Sequence, residues 1–158
     1  MTREQFTELV KGEQDALRGF LLALCCGDKA TADDIAQDTL VKAYLSVFSY
    51  SGRGKFRSWL FAIAHNTFLN HHKASRTSGS LEEARMMAGS QEADAGYAHD
   101  DLYLALATLP PKERSAITLF YLSGYSVKEI AAISGDTGDA VKKQLSRGRD
   151  KLKTILQR

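Results

Sequence analysis

Apolar residues return at three- and four-residue intervals along most of the chain, and no stretch alternates apolar with polar in the two-residue rhythm of a half-buried strand. That period commits the backbone to helices, so the expected fold class is all-α. The pattern lapses once, from Ala74 through Ser75-Arg76-Thr77-Ser78-Gly79-Ser80 to about His99, where Ser, Gly, Ala and acids dominate. A connection of about 25 residues is too long for a compact bundle. The sequence therefore predicts two small helical domains, residues 1–74 and 100–158, with some independent freedom, joined by a flexible linker over 75–99 in which Leu81 to Met87 carry a short helical pattern.

With 158 residues there is no room for a large multi-domain enzyme, and 44% hydrophobic with 25% charged residues is the balance of a globular chain rather than a disordered one. The longest apolar run, Phe20 to Cys26, is far short of the roughly 20 residues that span a bilayer, and Met1 to Gln5 lack a secretory signal's apolar segment. A cytoplasmic protein with no membrane insertion is expected. Cys25 and Cys26 are neighbours, which suits buried free thiols rather than a disulfide framework, and neither has a second cysteine or a histidine at zinc-ligand spacing. No metal and no cofactor are predicted. Charge is uneven: residues 139–158 hold seven Lys and Arg against Asp139 and Asp150, which points to a polyanion partner for that end.

The second block carries the most specific local signal. Ser126-Val127-Lys128-Glu129 is a capping box at a helix start, Ile130, Ala131 and Ile133 give that short helix an apolar face, and Gly135 supplies a sharp turn. Thr137 then caps a second helix in which Val141, Leu145, Gly148, Leu152, Ile155 and Leu156 share one stripe. This is a helix-turn-helix pattern. Asp139, Lys143, Ser146, Arg147 and Asp150 lie opposite the stripe, with Lys142 and Lys153 on a flank. A solvated packing helix would show such a face too, but it also suits a major groove, where basic side chains neutralise phosphates and the first turns reach base edges.

In the first block, Thr31-Ala32-Asp33-Asp34 resembles a capping box, and Ile35, Ala36, Leu40, Ala43, Tyr44, Val47 and Phe48 form an expected apolar face. On the opposite face Asp34 and Asp38 stand in line with Val41 and Leu45, with Gln37 and Lys42 at the margins. Solvated faces rarely put Val and Leu beside two carboxylates, whereas a docking surface needs an apolar centre and a polar rim. A basic loop with an aromatic follows, Ser49 to Lys55, holding Tyr50, Arg53 and Lys55. Next, Phe56 to Lys73 is apolar almost all round and must be central to its block. One edge differs: Trp59, Asn66, Asn70 and Lys73 set an indole beside amides and an ammonium, as where unstacked bases are held. A core role competes for Trp59, while Asn66 reads as a contact.

These residues bring the chain close to a known family. Gly27-Asp28, Ala32 to Thr39, Phe56-Arg57-Ser58-Trp59-Leu60, Ile63-Ala64-His65-Asn66, Leu109-Pro110 with Arg114, and Ser126 to Leu152 together resemble the bacterial extracytoplasmic-function (ECF) sigma factors of RNA polymerase, in the family's order over roughly 130 residues. The resemblance implies a helical promoter-melting region 2 and a helix-turn-helix region 4, with no region 3 domain between them. It places Asp34, Gln37, Asp38 and Lys42 on the helix that grips the clamp of core RNA polymerase. It makes the loop from Ser49 to Lys55, with Asn66, the site that captures a flipped base of the -10 element of promoter DNA. The helix from Thr137, with Asp139, Lys142, Lys143, Ser146 and Arg147, would read the -35 element. Anti-sigma factors are common partners in the family, though no residue here identifies one. Nothing catalytic is implied.

The chain departs from the family at several positions. His65 stands where a basic residue is common and Asn70 where Asp is. Asp136, Gly138, Asp139 and Gln144 replace apolar, small or basic types, and an acid near the start of a reading helix accepts from cytosine N4. Gly148 replaces the usual Ala, at an expected cost of up to about 1 kcal/mol of helix propensity. Two rivals remain. A stand-alone helix-turn-helix regulator would leave the docking face unexplained, and a metal nuclease on His65, His71, His72 and nearby carboxylates is disfavoured because adjacent His71 and His72 diverge by about 100° on a helix and do not both face one metal.

Overall fold

A computed structural model of the protein describes residues 2–50, 55–77 and 97–156. Seven α-helices and one 3-10 turn, with no strand among the described residues, give the all-α fold: α1 (Arg3–Leu24), α2 (Lys29–Leu45), the turn Val47–Ser49, α3 (Phe56–Thr77), α4 (Tyr97–Ala107), α5 (Pro111–Tyr121), α6 (Val127–Ser134) and α7 (Gly138–Leu156). Most of the expected linker lies outside the described residues. Its two ends are helical, Ser75 to Thr77 closing α3 and Tyr97 onward opening α4.

Local chemistry sets the helix starts. Thr2 and Gln5 form a reciprocal capping box, with the Gln5 N–H donating to Thr2 Oγ1 at 3.1 Å and the Thr2 N–H to Gln5 Oε1 at 2.9 Å. The cap of α2 lies three residues before the expected Thr31. Asp28 caps it instead, accepting from the Thr31 N–H at 3.3 Å and from the Thr31 hydroxyl at 2.7 Å. The turn that aims this carboxylate runs through Cys26 at φ 54° and Gly27 at φ 88°, left-handed backbone that only glycine adopts without cost.

The expected apolar face of α2 also needs correction at its far end. Ile35, Ala36 and Ala43 are buried and Leu40 half-buried, but Thr39 takes a core position, its hydroxyl donating to the Ile35 carbonyl at 2.7 Å. The helix stops at Leu45, and the tight turn that follows rotates Phe48 into solvent, where it is 92% exposed; Tyr44 is exposed as well.

α3 lies at the centre, as its apolar circumference requires. Phe56, Leu60, Phe61, Ala64 and Phe68 are buried, and α3 touches α1, α2, α5 and α6. Phe61 stacks on Phe20 of α1 at 4.9 Å and meets Tyr125, just before α6, edge-on at 6.0 Å. The two blocks consequently share one continuous core, in which Leu109, Ala116, Leu119, Ile130 and Ile133 join the residues of α1, α2 and α3. Cys25 and Cys26 are buried within it and are not joined in a disulfide.

In the second block the Ser126–Glu129 capping box and the left-handed cap at Gly135 (φ 78°) form as the sequence requires. Gly148 has a tertiary reason that helix propensity misses. A Cβ there would sit 2.7 Å from Ile117 Cγ1, so glycine lets α7 close onto α5.

Candidate nucleic-acid and partner interfaces

The α2 docking candidates share one exposed surface. Asp34, Gln37, Asp38 and Lys42 are exposed, and between them Val41 and Leu45 stand 58% and 73% exposed. Tyr44 and Phe48, assigned to the core by periodicity, extend this apolar surface. For Phe48 the signal is the helix stop at Leu45-Ser46, after which a continued wheel no longer applies. At its inner margin the Lys42 ammonium donates to the Thr67 hydroxyl at 3.5 Å.

On α3, Asn66, Asn70 and Lys73 are exposed along one edge, and Lys55 is exposed just before the helix. Trp59 is half-buried, held against Tyr50 at 5.4 Å and Phe56 at 5.5 Å. Tyr50 in turn meets Phe56 edge-on at 5.7 Å, so the indole and the phenol make a pre-formed aromatic platform rather than two loose rings. Arg53, with Ser51 to Gly54, lies outside the described residues. Beneath this edge Arg57 is fixed by the Glu13 carboxylate, a hydrogen bond that raises its pKa further.

The nuclease reading fails here as well. The His65 ring is buried, with Nδ1 2.7 Å from Ser115 Oγ, and burial pushes its pKa down to about 4. Among the described residues no group of three or more His, Cys, Asp or Glu side chains could hold a metal ion.

The outer face of α7 carries Asp139, Lys142, Lys143, Ser146 and Arg147, all exposed, and Thr137 caps its start by accepting from the Ala140 N–H at 3.1 Å. Two of the unusual residues turn to each other. The Gln144 amide donates to Asp136 Oδ2 at 2.9 Å, and Lys112 lies 3.8 Å from Asp136 Oδ1. This occupies the Asp136 carboxylate within the fold and leaves Asp139 as the free acid at the head of the helix.

A basic helix-turn-helix face and a helical block with an exposed apolar-acidic flank are the parts of one family. Residues 9–77 match the family model Sigma-70 region 2, and residues 99–152 match Sigma-70, region 4. The ECF RNA polymerase sigma factor EcfG of Rhodopseudomonas palustris is 30% identical over 146 residues, 89% of this chain and 79% of the relative. The chain belongs to the ECF RNA polymerase sigma factors. SigM of Bacillus subtilis is 30% identical over 144 residues, covering 88% of this sigma factor and 87% of the relative. Among solved structures, RpoE in complex with the anti-sigma factor NepR, from Bartonella quintana, aligns with a TM-score of 0.79 at 27% identity over 98% of both chains. CnrH in complex with the cytosolic domain of CnrY aligns with a TM-score of 0.74 at 27% identity, over 99% of this chain and 90% of that one.

The protein is thus a sigma factor, which binds core RNA polymerase and promoter DNA and serves transcription initiation without chemistry of its own. Its region 2 match disfavours the stand-alone regulator reading, because that half of the chain is the half such a regulator would leave unused. No helix among the described residues is long and apolar enough to cross a membrane.

Proposed function

We propose that this sigma factor divides its work among three surfaces, on a region 2 domain over 1–74 and a region 4 domain over 100–158 with a linker between. The α2 face of Asp34, Gln37, Asp38, Val41, Lys42 and Leu45 docks the polymerase clamp. The α3 edge of Trp59, Asn66, Asn70 and Lys73, with Tyr50, Arg53 and Lys55, holds unstacked bases of the -10 element. The α7 face of Thr137, Asp139, Lys142, Lys143, Ser146 and Arg147 reads the -35 element. The site of action is the cytoplasm, and an anti-sigma factor is the expected inhibitory partner, by analogy with the sigma complexes that the chain resembles.

The observation that carries the docking assignment is the exposure of Val41 and Leu45 in line with two carboxylates. Two large aliphatic side chains exposed side by side and rimmed by carboxylates have the apolar centre and polar margin of a docking surface. Asp38→Arg should reduce affinity for core polymerase at least ten-fold, read from a binding isotherm with labelled sigma factor. An unchanged isotherm removes the docking face.

A further inference from the structure

The basic helix α7 is carried on a turn with little stiffness of its own. Gly135-Asp136-Thr137-Gly138 joins α6 to α7. Gly135 is left-handed at φ 78°, as the cap of α6 requires. A Cβ at Gly138, however, would meet nothing within 4 Å, so packing does not ask for glycine at the first residue of α7. Two glycines in four residues leave the backbone free to pivot. The buried row of Val141, Leu145 and Gly148 sets how closely α7 lies on its neighbours. Apolar contact is non-directional, so that row alone does not fix the roll and tilt of the helix.

Asp136 supplies the missing direction. Its Oδ2 accepts from Gln144 Nε2 at 2.9 Å, its backbone N–H donates to Ser134 Oγ at 3.3 Å, and the Lys112 ammonium stands 3.8 Å from Oδ1. Lys112 is exposed, and an exposed ion pair contributes little. Asp136 and Gln144 are half-buried, so their charge-assisted bond carries most of the restraint. Gln144 can reach the turn because side chains on a helix lean towards its N-terminus. The bond thereby ties the turn to a point roughly 9 Å along α7, at about 1.5 Å per residue. Gln144 itself stands off the outer face: by the helical wheel it lies about 40° from buried Gly148 and about 60° from exposed Arg147.

We propose that Asp136 is a positioning residue for promoter recognition: through Gln144 it locks the roll and tilt of α7, and so decides where Asp139, Lys143, Ser146 and Arg147 meet the base edges. The proposal rests on the assignment of α7 to the -35 element above. Three of the unusual residues in this region then form one device, in which Gly138 loosens the turn and the Asp136–Gln144 bond restrains it. A strut of this kind and a base reader leave different marks. Losing a base reader relaxes preference at one base pair, whereas losing the strut shifts every reading side chain together. Neither Asp136 nor Gln144 is assigned a phosphate, so the salt dependence of binding should not move with them.

The test offers holoenzyme, assembled from bacterial core RNA polymerase and the full-length chain, a pool of duplexes randomised at both promoter elements, and sequences the bound fraction. Asp136→Ala should lower enrichment of the preferred upstream element about five-fold, the worth of one net hydrogen bond, with the loss spread over several base pairs. The slope of log affinity against log salt should stay as in wild type. Gln144→Ala should give the same pattern, and the double variant should be no worse than either single one, because all three lack the same bond. Asp136→Asn keeps an acceptor for Gln144 and should retain the wild-type preferences, although it loses the attraction to Lys112. Urea midpoints taken on each variant separate this rescue from a general change in stability. The proposal is overturned if either alanine variant, folded, keeps the wild-type preferences, or if Gln144→Ala loses preference at a single base pair; Gln144→Ala decides the matter even if Asp136→Ala fails to fold. Wild-type holoenzyme that enriches no upstream element would refute the assignment of α7 itself, and the role of Asp136 with it.

Discussion

The Arg114 guanidinium, 4% exposed, donates to the Leu24 carbonyl at 2.7 Å across a sequence separation of 90 residues. It also donates from Nε to Leu106 O at 2.9 Å and from Nη2 to Leu109 O at 3.1 Å. One planar cation therefore closes the carbonyl ends of α1 and α4, where helix dipoles place partial negative charge. Each hydrogen bond compensates part of the desolvation of the buried charge.

Replacing Arg114 should expose how much this closure contributes. Arg114→Ala leaves buried carbonyls without donors and is expected to lower the unfolding free energy by about 3 kcal/mol. Arg114→Lys should recover less than half, because an ammonium cannot match three carbonyls fixed around a planar fork. Urea midpoints at constant m-value check both.

Gly148→Ala sets two effects against each other. Helix propensity favours Ala by about 1 kcal/mol, but the new methyl meets Ile117 Cγ1 at 2.7 Å in a buried contact. Overpacking of this kind costs about 1–3 kcal/mol. A net loss of about 1 kcal/mol is expected, and the loss should shrink or reverse in an Ile117→Ala background, which lacks both Cγ1 and Cδ1. Thermal unfolding of the wild type, the two single variants and the double variant tests this.

How far each of these features could be read from residues alone depends on its range. The Ser126–Glu129 capping box, the Gly135 turn and the all-round apolar α3 are encoded within a few residues, and the sequence reading and the structure agree on them. The start of α2 was misplaced because Asp28 and Thr31 are both competent caps, and the left-handed turn at Cys26-Gly27 chooses between them. Phe48 falls off the apolar face because the helical wheel stops at Leu45, whereas Tyr44 sits within α2 at the margin of that face, its ring edge-on to Phe6 at 5.7 Å but still exposed. The His65–Ser115 contact, the role of Gly148 and the closing of the two blocks on one another join residues far apart in the chain, and periodicity carries no information about such pairs.

Asn66 is exposed on α3 beside the aromatic platform and anchored by nothing that folding needs. Asn66→Ala is therefore expected to leave core binding and stability unchanged while reducing open-complex formation about ten-fold, the effect of one or two lost hydrogen bonds to an extruded base. Permanganate footprinting of the melted region reads this; an unchanged footprint removes Asn66 from the base-holding edge.

Lys143 and Arg147 lie one turn apart on the exposed face of α7. Each Ala substitution should weaken binding to duplex promoter DNA and lower the slope of log affinity against log salt by about one. Asp139→Ala, in contrast, should relax base preference at one position while raising non-specific affinity, as expected for an acid that accepts from cytosine N4. Affinities at several salt concentrations, with matched and mismatched duplexes, separate the two behaviours.

The central claim is that this chain confers promoter choice on a polymerase that has none without it. The most direct measurement adds the purified chain to bacterial core RNA polymerase on a genomic template pool and sequences the 5′ ends of the transcripts. The account predicts new start sites that share a two-part upstream sequence and vanish with Asp38→Arg. Start sites identical to those of core enzyme alone would contradict it.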